Sequence, residues 1–325
     1  MPDLLKSLGL DVYALTDSDT DEAHTFTTYS GYWTALMEHV HEEFGMFPYP
    51  NLLSDLQARG LSKLASKPAS CDEQPLRSLL LNAWSSELAM YDVELENPRL
   101  WLSNQWAQVK AYYANTRMAT AWLLARDGKA PDNHARLLRA IAAQVSGQSL
   151  YPPPWSLCCT RRYPAAKYSG FAREPEAVSP LATSTDCHDR TAMMLRTTRE
   201  RDIQRLVDVV KRNRRLRKAP NGEAARQDES LRPTTVFDFA WRMRHRSNYG
   251  DPAMFYVGTL TAERALEYAT AIRTVTGSTM FLFEALVSQK AKGIVTEAAV
   301  HFTSRDRSKI ADEVIVPRLR VLGLI

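Results

Sequence analysis

An all-α fold is predicted for this 325-residue sequence by three features. Two separated stretches, 102–123 and 261–286, carry apolar residues at alternating steps of four and three, the mark of a helix-bundle seam. Apolar residues make up 45% of the chain, enough for a globular core. The densest run of prolines is confined to 146–185, which leaves the flanking segments free to form long helices.

Taken in order, residues 1–28 read as an acidic, Thr/Ser-rich lead-in, with Asp17, Asp19, Asp21 and Glu22 in close succession. From Tyr32 onward Trp33, Leu36, Met37, Val40 and Phe44 recur at helical spacing. The opposite face of that helix holds Glu38, His39, His41, Glu42 and Glu43 and reads as a solvated polar face. A metal site is the alternative, weakened because His39 and His41 are two apart and diverge, although His39 with Glu42 or Glu43 could face one another. Phe47-Pro48-Tyr49-Pro50 stops this helix, and Leu53, Leu56, Leu61 and Leu64 predict a second one, interrupted near Gly60. A third covers Leu79 to Tyr91, with Leu80, Ala83, Trp84 and Leu88 spaced for burial. These helices make a helical extension over 29–100.

The first seam helix runs through Leu102, Trp106, Val109, Tyr113, Thr116, Thr120 and Leu123, and Gly128 ends it. Asp132 or Asn133 caps the next helix, whose Leu137, Leu138 and Ile141 face inward. Residues 146–235 read as a long insertion. Its first part holds Tyr151-Pro152-Pro153-Pro154-Trp155, Cys158-Cys159, Arg161-Arg162 and further prolines at 164, 175 and 180; its second part, Asp186 to Lys218, is an arginine-rich helix. That helix ends in Lys211, Arg212, Arg214, Arg215, Arg217 and Lys218. Cations at a helix C-terminus complement its dipole, which accounts for part of the cluster but not for arginines that begin about four turns upstream. The strip reads either as a contact for a phosphate backbone, RNA or DNA, or as a solvated arm. The second seam helix has Thr261 at its N-cap and carries Ala265, Ala269, Ile272, Thr276, Thr279, Phe283 and Leu286. Periodicity assigns no structure to the tail, 291–325.

The net charge of +4 is mild, so the placement of arginines rather than their number bears on partners. No apolar run approaches the ~18 residues needed to cross a bilayer. The opening residues lack the order of a signal peptide, and the chain is read as cytoplasmic with no membrane contact. Cys71, Cys158, Cys159 and Cys187 have no Cys-x2-Cys spacing and are read as idle thiols, with no metal or cofactor assigned. Cys187-His188-Asp189-Arg190 pairs a nucleophile type with its neighbour, but adjacent helical residues diverge by ~100°, which speaks against a thiol enzyme. Gly-rich phosphate loops, Gly-x-Ser-x-Gly and His-Glu-x-x-His are missing, so nucleotide-hydrolase, α/β-hydrolase and zincin chemistry lack their motifs.

The segment Trp241-Arg242-Met243-Arg244-His245-Arg246-Ser247-Asn248-Tyr249-Gly250-Asp251 packs cations, a histidine and a turn into one short span. Together with Tyr112-Tyr113, Ala119 to Gly128 and His134, it resembles the HEPN superfamily, small helical bundles of toxins, defence ribonucleases and non-catalytic relatives. The resemblance covers about a third of the chain, with 101–145 and 236–290 as the two halves of the bundle. It implies that Arg242 stands at the arginine of the Arg-x4-His-x-Tyr pattern and Tyr249 at its tyrosine, while Ser247 occupies the place of the histidine. In an active relative the site would comprise Arg242, His245, Ser247 and Tyr249, with Arg244 and Arg246 contacting nucleic acid and Tyr112, Tyr113 and Arg117 as groove walls facing Arg242. The resemblance further implies a homodimer, a partner nucleotidyltransferase or other operon partner, and a toxin–antitoxin or antiviral role. Two readings follow: a metal-independent endoribonuclease, or a non-catalytic module that binds nucleic acid, a nucleotide or a protein. A serine does not titrate near neutral pH as a histidine does, which favours the second.

Overall fold

The computed structural model describes residues 21–66, 72–97, 99–147, 150–161, 168–169, 186–250, 254–255, 261–305 and 308–325. The fold is all-α, with three very short strands among the helices of the described residues. Among the described residues no helix is long and apolar enough to cross a membrane.

Helix α1 (Asp21–Phe44) is followed by α2 (Pro48–Ala58) and α3 (Glu73–Leu88), then by α4 (Leu100–Asp127) and α5 (His134–Gly147). After strands β1 (Cys158–Cys159) and β2 (Tyr168–Ser169) come α6 (Cys187–Asn213), α7 (Glu223–Ser230), strand β3 (Thr234–Thr235) and α8 (Val236–His245). One π-helical turn, Arg246–Gly250, continues α8. The chain closes with α9 (Ala262–Arg305), kinked at Ala291, then α10 (Lys309–Val314) and α11 (Val316–Val321).

The two seam helices pack along one another as α4 and α9, with α3 against both and α1 bridging α9 to α6. Cross-links tie the seam: Asn104 Nδ2 donates to the Ala265 carbonyl at 3.1 Å, and Gln108 Nε2 donates to the Tyr268 hydroxyl. Gly128 ends α4 in the left-handed conformation (φ 70°), its N–H returning to Leu124 O at 2.8 Å. A periodic stripe predicts one buried face, whereas every residue of α9 from Val275 to Ser288 is buried. Thr, Gly and Ser on its remaining faces let neighbouring helices close around it, so α9 is central rather than half-exposed.

Two further segments are deeper than their composition suggests. Residues 1–20 lie outside the description, but α1 already begins at Asp21, and Phe26 and Tyr29 are buried. Of the proline-dense span, 162–167 and 170–185 lie outside the described residues. Its start is core: Tyr151, Trp155 and Leu157 are buried, and Trp155 Nε1 donates to Thr279 Oγ1 at 2.9 Å. Proline forbids a helix there without forbidding burial.

A closed charge cluster sits inside the bundle. Arg318 on α11 is fully buried, with Glu87 of α3 accepting from both Nη atoms at 2.5 Å and Glu284 of α9 accepting from Nε at 3.0 Å and Nη2 at 2.9 Å. Trp84 Nε1 adds a 2.8 Å bond to Glu284. Burial holds the Glu87 carboxyl above the ordinary carboxylate range despite Arg318. Gly277 makes room for this cluster, because a Cβ there would stand 3.0 Å from the Tyr49 hydroxyl and 3.6 Å from Arg318.

Candidate functional site

Helix α8 is fixed at its start by a capping box. Thr235 N–H donates to Asp238 Oδ2 at 2.8 Å, and Arg232 grips the same carboxylate through both Nη atoms at 2.9 and 2.5 Å. Strand β3, just before it, pairs with β1, so the base of α8 is anchored to the core. Val236, Phe237, Phe239 and Met243 are buried, which sets the rotation of the helix and aims its polar residues.

Arg242 and Arg244 are two apart and so point about 200° away from each other. Arg242 turns to α1 and α6: Nη2 donates to the Tyr29 hydroxyl at 2.7 Å, and Nη1 lies 3.3 Å from Thr197 Oγ1 and 3.2 Å from Thr198 Oγ1. Its guanidinium carbon is 5.1 Å from the Tyr29 ring centroid, as is that of Arg246 one turn later. Burial lowers the Arg242 pKa, with Arg201 acting in the same direction. Arg244 turns instead to α4, donating to the Tyr113 hydroxyl at 2.8 Å within a cage of Tyr112, Tyr113 and Trp241, whose ring centroids lie 5.0 to 5.4 Å away. Tyr112 and Tyr113 therefore face Arg244 and not Arg242, and Arg117 is exposed. Tyr112 is also hydrogen-bonded to His134 Nδ1 at 2.6 Å. Among the described residues no carboxylate forms an ion pair with Arg242 or Arg244.

Between α6 and α8 lies a cavity of about 440 Å³ lined by Arg201, Arg205, Arg212, Trp241, Arg242 and His245 together with Asp202, Asp208 and Asp238. A second, of about 420 Å³, adds Arg139 and Arg232 and shares Asp202, Arg205, Asp238 and Trp241 with the first, so the two form one groove. The three carboxylates are engaged locally: Asp238 by Arg232, Asp202 by Arg205 at 3.6 Å, and Asp208 by Lys211 at 3.3 Å. Among the described residues Arg139, Arg201, Arg212 and Arg242 form no ion pair, which gives the groove a cationic surplus. Desolvation raises the Asp202 pKa. Desolvation, then Arg244, Arg205 and Arg201, lower that of exposed His245.

The groove thus unites Arg242, His245 and Arg212 of the residues singled out in the sequence. Ser247 does not line it. Its hydroxyl is fully buried and donates to Met243 O at 3.0 Å, as serines in helical turns do, and its carbonyl accepts from Gln105 Nε2 at 2.8 Å. The side chain of Tyr249 and residue Asp251 lie outside the described residues. In the basic strip, Arg214 and Arg215 are exposed, while Lys211, Arg217 and Lys218 border a third cavity beside Asn221 and Gly222. Two arginines of the same helix are structural: Arg199 is fully buried against Asp228 and the Arg232 carbonyl, and Arg190 pairs with Glu38. Sequence reading did not single out Arg201 and Arg205 as site residues. Their spacing with Asp208 and Arg212, steps of four, three and four, is the pattern that marks one helix face.

No family model, no curated protein and no solved structure matches this chain.

Proposed function

We propose that this chain binds single-stranded RNA along the groove between α6 and α8, as a non-catalytic HEPN-like module. The observation that carries the reading is Arg242, whose Nε is sealed from solvent, whose guanidinium is held by hydroxyls and a ring, and which opens onto the groove with no carboxylate partner among the described residues. A desolvated guanidinium that no acid neutralises is costly, and a phosphate relieves that cost. Arg139, Arg201 and Arg212 supply further phosphate contacts, and Trp241, at the join of the two cavities, offers an aromatic surface for a base.

Fluorescence anisotropy with labelled single-stranded RNA tests this. Affinity should fall steeply with salt, each lost phosphate contact flattening the log–log slope by about 0.7. Arg201→Ala with Arg212→Ala should weaken binding, and duplex DNA should bind less well. Affinity that ignores both salt and these substitutions would end the proposal.

A second reading, metal-independent endoribonuclease action, is favoured by one observation: Arg242 and His245 line the same cavity. There Arg242 would hold the scissile phosphate and His245 would move a proton. RNA that is bound but left intact after long incubation argues for the module, whereas cleavage lost in both Arg242→Ala and His245→Ala argues for the enzyme. By resemblance alone, either version would act as a homodimer in a defence or toxin–antitoxin setting, with a nucleotidyltransferase or other operon partner.

A further inference from the structure

Two segments bearing metal-ligating side chains, 145 positions apart, meet where α1 packs on α6. On α1, His39 and Glu42 are three residues apart and share a helix face. On α6, Cys187 and His188 form the first turn, oriented by the Asp186 carboxylate, which accepts from the His188 N–H at 2.8 Å. The ligand atoms of His39, Cys187 and His188 all lie within 4.8 Å of one another. Glu42 Oε2 is 3.3 Å from Cys187 Sγ and 3.8 Å from His188 Nε2, and the two imidazole rings stand edge to face with centroids 4.3 Å apart.

Tetrahedral zinc with bonds of about 2.0–2.3 Å places its donors about 3.3–3.8 Å from one another. Both Glu42 separations already lie in that range. Those among His39, Cys187 and His188, all within 4.8 Å, need about 1 Å of closure, and the Glu42 carboxylate must in addition swing toward His39, shifts that side-chain rotation supplies. Two imidazoles, a thiolate and a carboxylate suit Zn²⁺ and disfavour Ca²⁺ and Mg²⁺, which take oxygen donors. Thiolate and carboxylate together cancel the charge of the ion. His39 and Cys187 are buried, whereas the Glu42 side chain is 59% exposed, so the ion has an inner wall and an entry path.

We propose that His39, Glu42, Cys187 and His188 form a zinc site that pins α1 to the first turn of α6. The inference is independent of RNA binding, but the two regions are connected through the helices. Tyr29 of α1 and Thr197 and Thr198 of α6 hold Arg242, so an ion fastening these helices also fixes that arginine.

The test uses the full chain, stripped by a chelator under reducing conditions, with Co²⁺ as the spectroscopic probe. One equivalent of Co²⁺ should give the visible bands of a tetrahedral site and a thiolate-to-cobalt charge-transfer band. Zn²⁺ should bleach both and raise the melting temperature. Cys187→Ser should lose the charge-transfer band while keeping its far-UV circular dichroism. Should that variant fail to fold, Glu42→Gln, on the exposed side, should keep the thiolate band and lose zinc to a weaker competing chelator than wild type does. A Co²⁺ spectrum without a thiolate band, a band that survives Cys187→Ser, a Glu42→Gln protein that holds zinc as tightly as wild type, or a melting temperature indifferent to Zn²⁺ would overturn the proposal.

Discussion

Arg318 and Arg242 both lose water on folding, and the protein treats them in opposite ways. Arg318 is enclosed by Glu87 and Glu284, so each of its N–H edges meets a carboxylate and the cluster is closed to solvent. Arg242 meets two threonines and a tyrosine, retains an unsatisfied Nε, and borders a groove. A guanidinium neutralised from within serves the fold, whereas one with no carboxylate partner among the described residues, at a surface cavity, is the one we propose for an anion from outside.

The strongest way to break this comparison is to remove each arginine. Arg318→Met strands two carboxyls in the core and should cost about 3–5 kcal/mol in a denaturant titration. Arg242→Met strands no acid, so its stability should stay within about 1 kcal/mol of wild type while RNA affinity drops. Equal destabilisation by the two would dissolve the distinction. Gly277→Ala sets a methyl 3.0 Å from the Tyr49 hydroxyl, which must give way, and should cost about 1–3 kcal/mol, readable as a lowered melting temperature with RNA affinity intact. Trp241→Ala should weaken RNA binding by about 1–3 kcal/mol if a base stacks there.

The smallest effect is pH-dependent. His245 has its pKa lowered by desolvation and by Arg244, Arg205 and Arg201, so it stays neutral at pH 7 and charges only below the usual imidazole value of about 6.5. Because the folded pKa lies below the unfolded one, its contribution to stability is present above about pH 6.5 and is lost as pH falls toward the depressed value. RNA affinity should move the other way, rising as the imidazolium forms. A His245→Gln protein should show neither trend, and identical pH profiles for the two proteins would remove His245 from the groove's electrostatics.

How far the sequence could be read divides along the same line. The existence of the two seam helices, the buried stripe of α9 and the stop at Gly128 were legible because helical period and the left-handed glycine are local properties of the chain. The face of α4 was not: Trp106, placed in its stripe, is 53% exposed, while Asn104 and Gln108 reach α9. The direction of the arginines was not. Tyr112 and Tyr113 were expected to face Arg242, yet a two-residue step on α8 puts Arg244 there instead. Nothing in the arginine-rich helix distinguishes Arg199 from its neighbours by sequence, and the return of Asp228 with the carbonyls of Arg232 and Cys159 makes it a core residue. His39 and Cys187 gave no signal as a pair, since periodicity within a helix carries no information about a residue 148 places away (187 − 39).

Strands β1 and β3 are only two residues each, but their pairing joins Cys158 and Cys159 to Thr235 and Thr234, immediately before α8, while Arg199 of α6 reaches the carbonyls of Cys159 and Arg232 beside them. Both walls of the groove are thereby riveted to one small plate. If the cleft takes RNA as proposed, an incoming strand would find its walls already fixed, and the ordering cost of association would fall on the flexible polymer rather than on its host.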